Sequence, residues 1–144
     1  MKLISFIIPL AAILPAARSV LVQYDTVYDN AAASLNTVAC SDGKNGMINK
    51  GYKTFGGIPS FPHIGSAYAV EGYNSTSCGS CWELSYTNGK TTTSIYVTAI
   101  DHANQGFVLA RTAMQDLGGQ QAVDGGKIDA TATRVAGSLC GLKS

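Results

Sequence analysis

The sequence predicts a mainly β protein, a small β-barrel with helical inserts held by two disulfides, and three observations carry that expectation. Four cysteines, Cys40, Cys78, Cys81 and Cys140, follow an N-terminal segment ordered like a secretion signal, and an exported chain is where thiols oxidise to disulfides. Two alternating apolar and polar runs flank Asn88-Gly89, the composition of a two-residue hairpin turn. The other periodic segments are short and separated by glycine-rich turns, with a single stretch at helical spacing.

The elements follow in order. Met1-Lys2 gives a positive start, and Leu3 to Leu14 is apolar apart from Ser5 and Pro9, too short a run to span a bilayer. Ala17 and Ser19 occupy the small-residue places before Val20, so residues 1–19 read as a signal peptide cut between Ser19 and Val20. Cleavage after Ala17 is the alternative, and a buried core helix the competing reading. Val20 to Tyr28 reads as a strand through Leu21, Val22, Tyr24, Val27 and Tyr28, and alanines with Leu35 then form a short helical turn before Cys40. Seven glycines between Ser41 and Gly72, with Pro59 and Pro62, make that region loop-rich.

Cys81 to Thr87 alternates Trp82, Leu84 and Tyr86 against Glu83 and Ser85, and its partner across Asn88-Gly89 is the β-branched run Thr91 to Ile100. On that partner Ile95, Val97 and Ala99 share one face. Phe107 to Leu117 carries Ala110, Ala113, Met114 and Leu117 at helical spacing and ends at Gly118-Gly119. Lys127 to Val135 returns to alternation, with Ile128, Ala130, Ala132 and Arg134 facing one way. No internal repeat or interdomain linker interrupts the chain.

Removal of residues 1–19 leaves 125 residues, 20–144, enough for one modest domain with its own core. Of ten Lys and Arg, Lys2 and Arg18 go with the signal, leaving eight against nine Asp and Glu. A domain of net charge −1 offers no basic footprint, which argues against nucleic acid and anionic membranes as partners. Only 13 % of the chain is charged, while Gly, Ser, Thr and Asn abound, a surface suited to a neutral polar ligand. The expected place for such a protein is outside the cell.

The cysteines admit three pairings. Closing Cys78 to Cys81 would make a redox-type loop and remove only about 2 kcal/mol of denatured-state freedom, against about 4 for each long loop. Stability therefore favours outward pairing, with Cys40–Cys78 and Cys81–Cys140 the preferred arrangement and the exchange of partners left open. A thioredoxin-like role lacks the alternating strands and helices that such a pair requires. His63 and His102 are the only histidines, and neither lies in a Cys/His cluster at zinc-ligand spacing, so neither metal nor cofactor is expected.

Several motifs then converge. Val22-Gln23-Tyr24-Asp25, Cys40-Ser41-Asp42-Gly43, the run Phe55-Gly56-Gly57-Ile58-Pro59-Ser60-Phe61-Pro62-His63-Ile64-Gly65, the central Cys78-Gly79-Ser80-Cys81-Trp82, and Ile100-Asp101 after the hairpin occur in this order. Together they closely resemble the cerato-platanin family of small secreted fungal proteins, from Val20 to Cys140. The resemblance implies a six-stranded double-psi β-barrel like the first domain of expansins, with disulfides Cys40–Cys78 and Cys81–Cys140. It also implies binding of chitin-type N-acetylglucosamine oligomers, elicitation of plant defence through a plant receptor, self-assembly at interfaces, and expansin-like loosening of cellulose. The chain departs from the family in carrying Tyr73 where Trp is common and Val108 where a polar Asn often stands.

Neutral sugars are held by hydrogen bonds to their hydroxyls and by aromatic faces that cover the apolar side of a ring. Asp101 at a strand end, followed by His102, Asn104, Gln105 and Gly106, offers that mixture, with Tyr24 and Asp25 joining across the barrel. The structural alternatives are that Asp101 caps the following loop through its backbone N–H groups, that His102 is an exposed loop residue, and that Tyr24 packs at the rim. Asp42 reads as a turn former and Trp82 as core filling beside the disulfides, while Phe55, Ile58 and Phe61 are either a hydrophobic patch for interfaces or partners or, the preferred reading, residues folded against the barrel. Asn74-Ser75-Thr76 is an N-glycosylation acceptor by pattern, so Asn74 is a candidate modification site. A glycanase on the same barrel would need two carboxyls across the scissile bond; Asp101 is one plausible member, and with Glu71 and Glu83 the only glutamates the pattern offers it no obvious partner. A purely structural, surface-active protein is the third reading.

Overall fold

The computed structural model describes residues 16–143, so the apolar part of the expected signal peptide lies outside the described residues. Six strands close into a barrel: β1 (Arg18–Tyr24), β2 (Ile64–Ala67), β3 (Cys81–Asn88), β4 (Thr91–His102), β5 (Phe107–Leu109) and β6 (Lys127–Val135). Their order around the barrel is β1, β5, β2, β4, β3, β6, and β6 returns to β1. Two parallel pairings, β1 with β5 and β2 with β4, are set among antiparallel ones, which no simple meander produces. Among the described residues one helix, α1 (Arg111–Gly125), and short 3-10 turns complete the fold.

The β3–β4 hairpin forms where alternation and β-branching predict it. Its turn lies one residue further on than the Asn88-Gly89 reading, because Asn88 pairs with Thr91 and leaves Gly89 and Lys90 as the loop. Gly89 takes φ 63° at the first loop position, the place where a II′ turn requires glycine. Hydroxyl pairs across the strands, Ser85 to Ser94 at 2.6 Å and Thr87 to Thr92 at 2.8 Å, help fix the register. Strand β6 has the bounds that its alternation indicates.

Other boundaries differ from the sequence expectation. Strand β1 stops at Tyr24, not Tyr28, because the Asp25 side chain accepts from the Val27 N–H and starts a 3-10 turn over Thr26–Asp29. The expected helix from Phe107 is divided. Phe107–Leu109 is strand β5, and α1 runs from Arg111 past Gly118 to Gly125, with a break at Gly119 where φ is 74° and ψ −174°. Strand β2 emerges from the loop-rich region, four residues buried throughout.

Ala110 precedes α1 and gives it no side-chain cap. The cap comes from Asp29, whose carboxylate accepts from Arg111 N at 2.7 Å, Thr112 N at 3.0 Å and Thr112 Oγ1 at 2.8 Å. Backbone donors at a helix start that would otherwise lack partners are thereby satisfied, and negative charge sits at the positive end of the helix dipole. The core holds Val22, Ile64, Leu84, Val97, Phe107 and Leu109 from the barrel with Ala113, Met114 and Leu117 from α1. Trp82 is buried as core filling, its indole N–H donating to Ser80 Oγ at 2.8 Å. Phe55 and Ile58 are buried and Phe61 is half-buried, so that stretch folds inward as the sequence suggests.

Both disulfides bridge as preferred, Cys40–Cys78 with Cα atoms 5.3 Å apart and Cys81–Cys140 with 5.8 Å, separations usual for the bond. They fasten the early loop and the C-terminal 3-10 turn Gly137–Cys140 to the segment that enters β3.

Candidate functional site

Successive side chains along a strand point to opposite faces, and at the end of β4 this divides the predicted polar run. Asp101 turns toward the 3-10 turn after β1. Its Oδ1 accepts from Ala39 N at 3.0 Å and from its neighbour His102 N at 2.9 Å, and its Oδ2 accepts from the Tyr28 hydroxyl at 2.9 Å. The loop-capping alternative is therefore present in the geometry, within a wider network that ties two distant segments to β4. Burial first, then the charge of Asp101, with a smaller contribution from Asp25, push the Tyr28 hydroxyl well above the ordinary tyrosine range, although a bond to Ser66 works the other way. Tyr28 therefore stays protonated and donating at any physiological pH. Asp25 is next to this cluster through the turn it starts, its carboxylate accepting from Val27 N at 2.9 Å and its carbonyl from Tyr28 N at 3.2 Å.

His102 points the other way. Its Nδ1 lies 2.6 Å from the Val70 carbonyl, to which it donates, and its Nε2 lies 3.2 Å from Asn104 Oδ1. The ring is exposed and braces the loop that carries Asn104, Gln105 and Gly106. That loop lines a cavity of about 490 Å³ together with Arg18, Ser19, Val20, Leu21 and Tyr68, a size that suits a small ligand. Gly106 is there for a backbone reason. It takes φ 56°, and a Cβ on it would lie 1.8 Å from the Leu21 carbonyl oxygen, so only glycine lets the loop approach β1. The Gly106 carbonyl accepts from Tyr68 N at 2.8 Å, which sets Tyr68 beside the loop.

Tyr24 joins neither group. It pairs with Leu109 at the far end of β1, and its hydroxyl donates to the Val123 carbonyl of α1 at 3.0 Å, the packing alternative. Of the predicted site residues, the structure thus gathers Asp25 and Asp101 around Tyr28, and Asn104, Gln105 and Gly106 around the cavity, with His102 supporting the second group. Sequence reasoning missed Tyr28 and Tyr68. The repeated pair Tyr24-Asp25 and Tyr28-Asp29, four residues apart, was a signal for a turn, since Asp caps turns and leaves strands. Tyr68 had no local signal, because its place depends on the β2–β5 pairing.

Asn74 is exposed and takes φ 59°; its Oδ1 accepts from Asn45 N at 2.9 Å and its carbonyl from Asn45 Nδ2 at 3.0 Å. Asp42 accepts from the Tyr73 hydroxyl at 2.9 Å, which raises the Tyr73 pKa. Away from the cavity His63 Nε2 meets Asp116 Oδ2 at 2.7 Å. Among the described residues no three His, Cys, Asp or Glu side chains are grouped to hold a metal ion, and no helix is long and apolar enough to cross a membrane. The chemistry on offer in the cavity is hydrogen bonding by amides and backbone groups beside an aromatic ring, with one cation, Arg18, at the wall.

Comparison with known proteins fits this architecture. The family model described as Cerato-platanin matches residues 20–142. The heat-stable 19 kDa antigen of Coccidioides immitis is 47 % identical over 136 residues, covering 94 % of this chain and 90 % of that one. Among solved structures, cerato-platanin 2 from M. perniciosa superposes with a TM-score of 0.83 at 46 % identity, over 87 % of this chain and all of that one. The solution structure of the fungal elicitor Cerato-Platanin superposes at 0.74 with 34 % identity, over 83 % and 95 %.

Proposed function

Because the chain belongs to the cerato-platanin family, we propose that it is an exported, non-catalytic protein, mature from Val20, that binds chitin-type N-acetylglucosamine oligomers and acts as an elicitor or effector of plant defence. The observation that carries the binding half is the cavity beside Asn104, Gln105 and Gly106, which sets amide groups next to the Tyr68 ring with no carboxylate in its lining. Amides and backbone groups donate to and accept from sugar hydroxyls, and an aromatic face covers the apolar side of a pyranose. The elicitor half is supported by a solved relative described as a fungal elicitor and depends on a plant receptor. Cellulose is the second polysaccharide on this reading, loosened without hydrolysis.

Hydrolysis is disfavoured because both oxygens of Asp101 already accept from protein donors, an arrangement that holds the fold and leaves no free acid and base pair astride a substrate. Self-association at interfaces is a second reading, favoured by the exposed side chains of Val27, Tyr73 and Leu139. Co-sedimentation of the purified protein with insoluble chitin, run beside a reducing-sugar assay, tests the proposal. Retention on chitin without sugar release is expected; no retention removes the binding half, and sugar release that survives repurification removes the non-catalytic half.

A further inference from the structure

The chain itself supplies a cation at the wall of the cavity beside Asn104, Gln105 and Gly106. The Arg18 guanidinium carbon lies 5.7 Å from the centroid of the Tyr68 ring, so a cation covers the ring face that borders Asn104, Gln105 and Gly106. The ring cannot turn aside easily, because Trp82 packs against it at 5.8 Å and Phe107 meets it edge-on at 6.0 Å. Arg18 and Ser19 are also the two residues immediately before the expected cleavage point.

We propose that the outer face of Tyr68 is a sugar-stacking subsite, covered by Arg18 wherever residues 16–19 are retained and free in the chain that begins at Val20. The subsite rests on the carbohydrate reading above and goes beyond it by naming the aromatic platform and what uncovers it. A guanidinium and the C–H face of a pyranose present the same thing to an aromatic ring, a planar array of partial positive charge over the negative face. One can therefore replace the other.

Cleavage leaves the scaffold intact. Strand β1 loses its pairs Arg18↔Ala132 and Ser19↔Thr131, and keeps Val20↔Ala130, Leu21↔Asp129, Val22↔Ile128 and Gln23↔Lys127 against β6, with three parallel pairs against β5. The new α-ammonium of Val20 then lies in the cavity lining, adding donors for sugar hydroxyls beside Tyr68.

The test compares three proteins by calorimetric titration with the N-acetylglucosamine hexamer: one beginning at Ala16, the same length carrying Arg18→Ala, and one beginning at Val20. Displacing an exposed cation from an aromatic face corresponds to about a two- to fivefold change in affinity, so the second and third should bind that much more tightly than the first. In the protein beginning at Val20, Tyr68→Leu should abolish the gain while thermal unfolding shows the barrel retained. Equal affinity in all three, or binding indifferent to Tyr68→Leu, overturns the subsite and leaves the carbohydrate reading standing. Absence of binding in every form overturns both. Should Tyr68→Leu fail to fold, the Arg18→Ala comparison decides alone.

Discussion

Replacing Asp101 with alanine removes three accepted hydrogen bonds at once, from Ala39 N, His102 N and the Tyr28 hydroxyl. The three donors are not equivalent. His102 is exposed and water can replace the carboxylate at its N–H, whereas Tyr28 is buried, with 6 % of its surface accessible, and Ala39 is half-buried. Leaving a buried donor without a partner costs about 1–3 kcal/mol, so two of them give about 2–6 kcal/mol in total. Asp101→Asn is the informative contrast, because its Oδ1 still accepts from both backbone donors and its Nδ2 can donate to the Tyr28 oxygen. That variant should lose no more than about 1 kcal/mol. Urea unfolding of both, followed by circular dichroism with the disulfides intact, measures the difference at constant m-value. If alanine costs as little as asparagine, the network does not bind the 3-10 turn to the barrel as described. If Asp101→Asn keeps its stability yet loses chitin affinity, Asp101 contacts ligand directly.

Further expectations follow from the same geometry. Asp29→Ala removes the only side-chain acceptor at the start of α1 among the described residues and should cost about 1–2 kcal/mol by urea unfolding; an unchanged midpoint would show that water caps the helix as well. Tyr28 has a folded pKa raised above the ordinary 10.0, so the stability it contributes is whole below pH 10 and declines above it, where only the unfolded chain releases the proton, by about 1.4 kcal/mol per pH unit. Tyr28→Phe should flatten that alkaline decline in unfolding measured from pH 9 to 11. Reducing Cys40–Cys78 and Cys81–Cys140, which span 38 and 59 residues, withdraws about 4 kcal/mol each by the loop-entropy relation, comparable with the whole stability of a small domain. A reduced protein with an unchanged melting curve would contradict that reasoning.

The parts legible in the sequence were those whose cause is local. Alternation in Trp82, Leu84 and Tyr86, the glycine of the following turn, and the β-branched run after it determine β3 and β4 with no help from the rest of the chain. The outward direction of the disulfides follows from loop lengths. Strands β2 and β5 were illegible because they are short and central. Ile64–Ala67 is buried on both faces and shows no alternation, and Phe107–Leu109 is continuous with helical spacing until Ala110. The helix start could not be read because its cap, Asp29, lies 82 residues before Arg111. The candidate site was half visible for the same reason: Asn104, Gln105 and Gly106 are neighbours in sequence, whereas Tyr28 and Tyr68 reach their places only through non-local pairing. Asp101 and His102, adjacent in sequence, serve different faces because a strand separates them.

The place where a neutral sugar meets the barrel can be mapped residue by residue. An ¹⁵N-labelled protein beginning at Val20, titrated with the N-acetylglucosamine hexamer, should show its largest amide shifts at Asn104, Gln105, Gly106 and Tyr68, with small shifts at Asp25 and Tyr24. Saturable shifts centred on Tyr24 and α1, or a spectrum that does not change at millimolar oligomer, would contradict it.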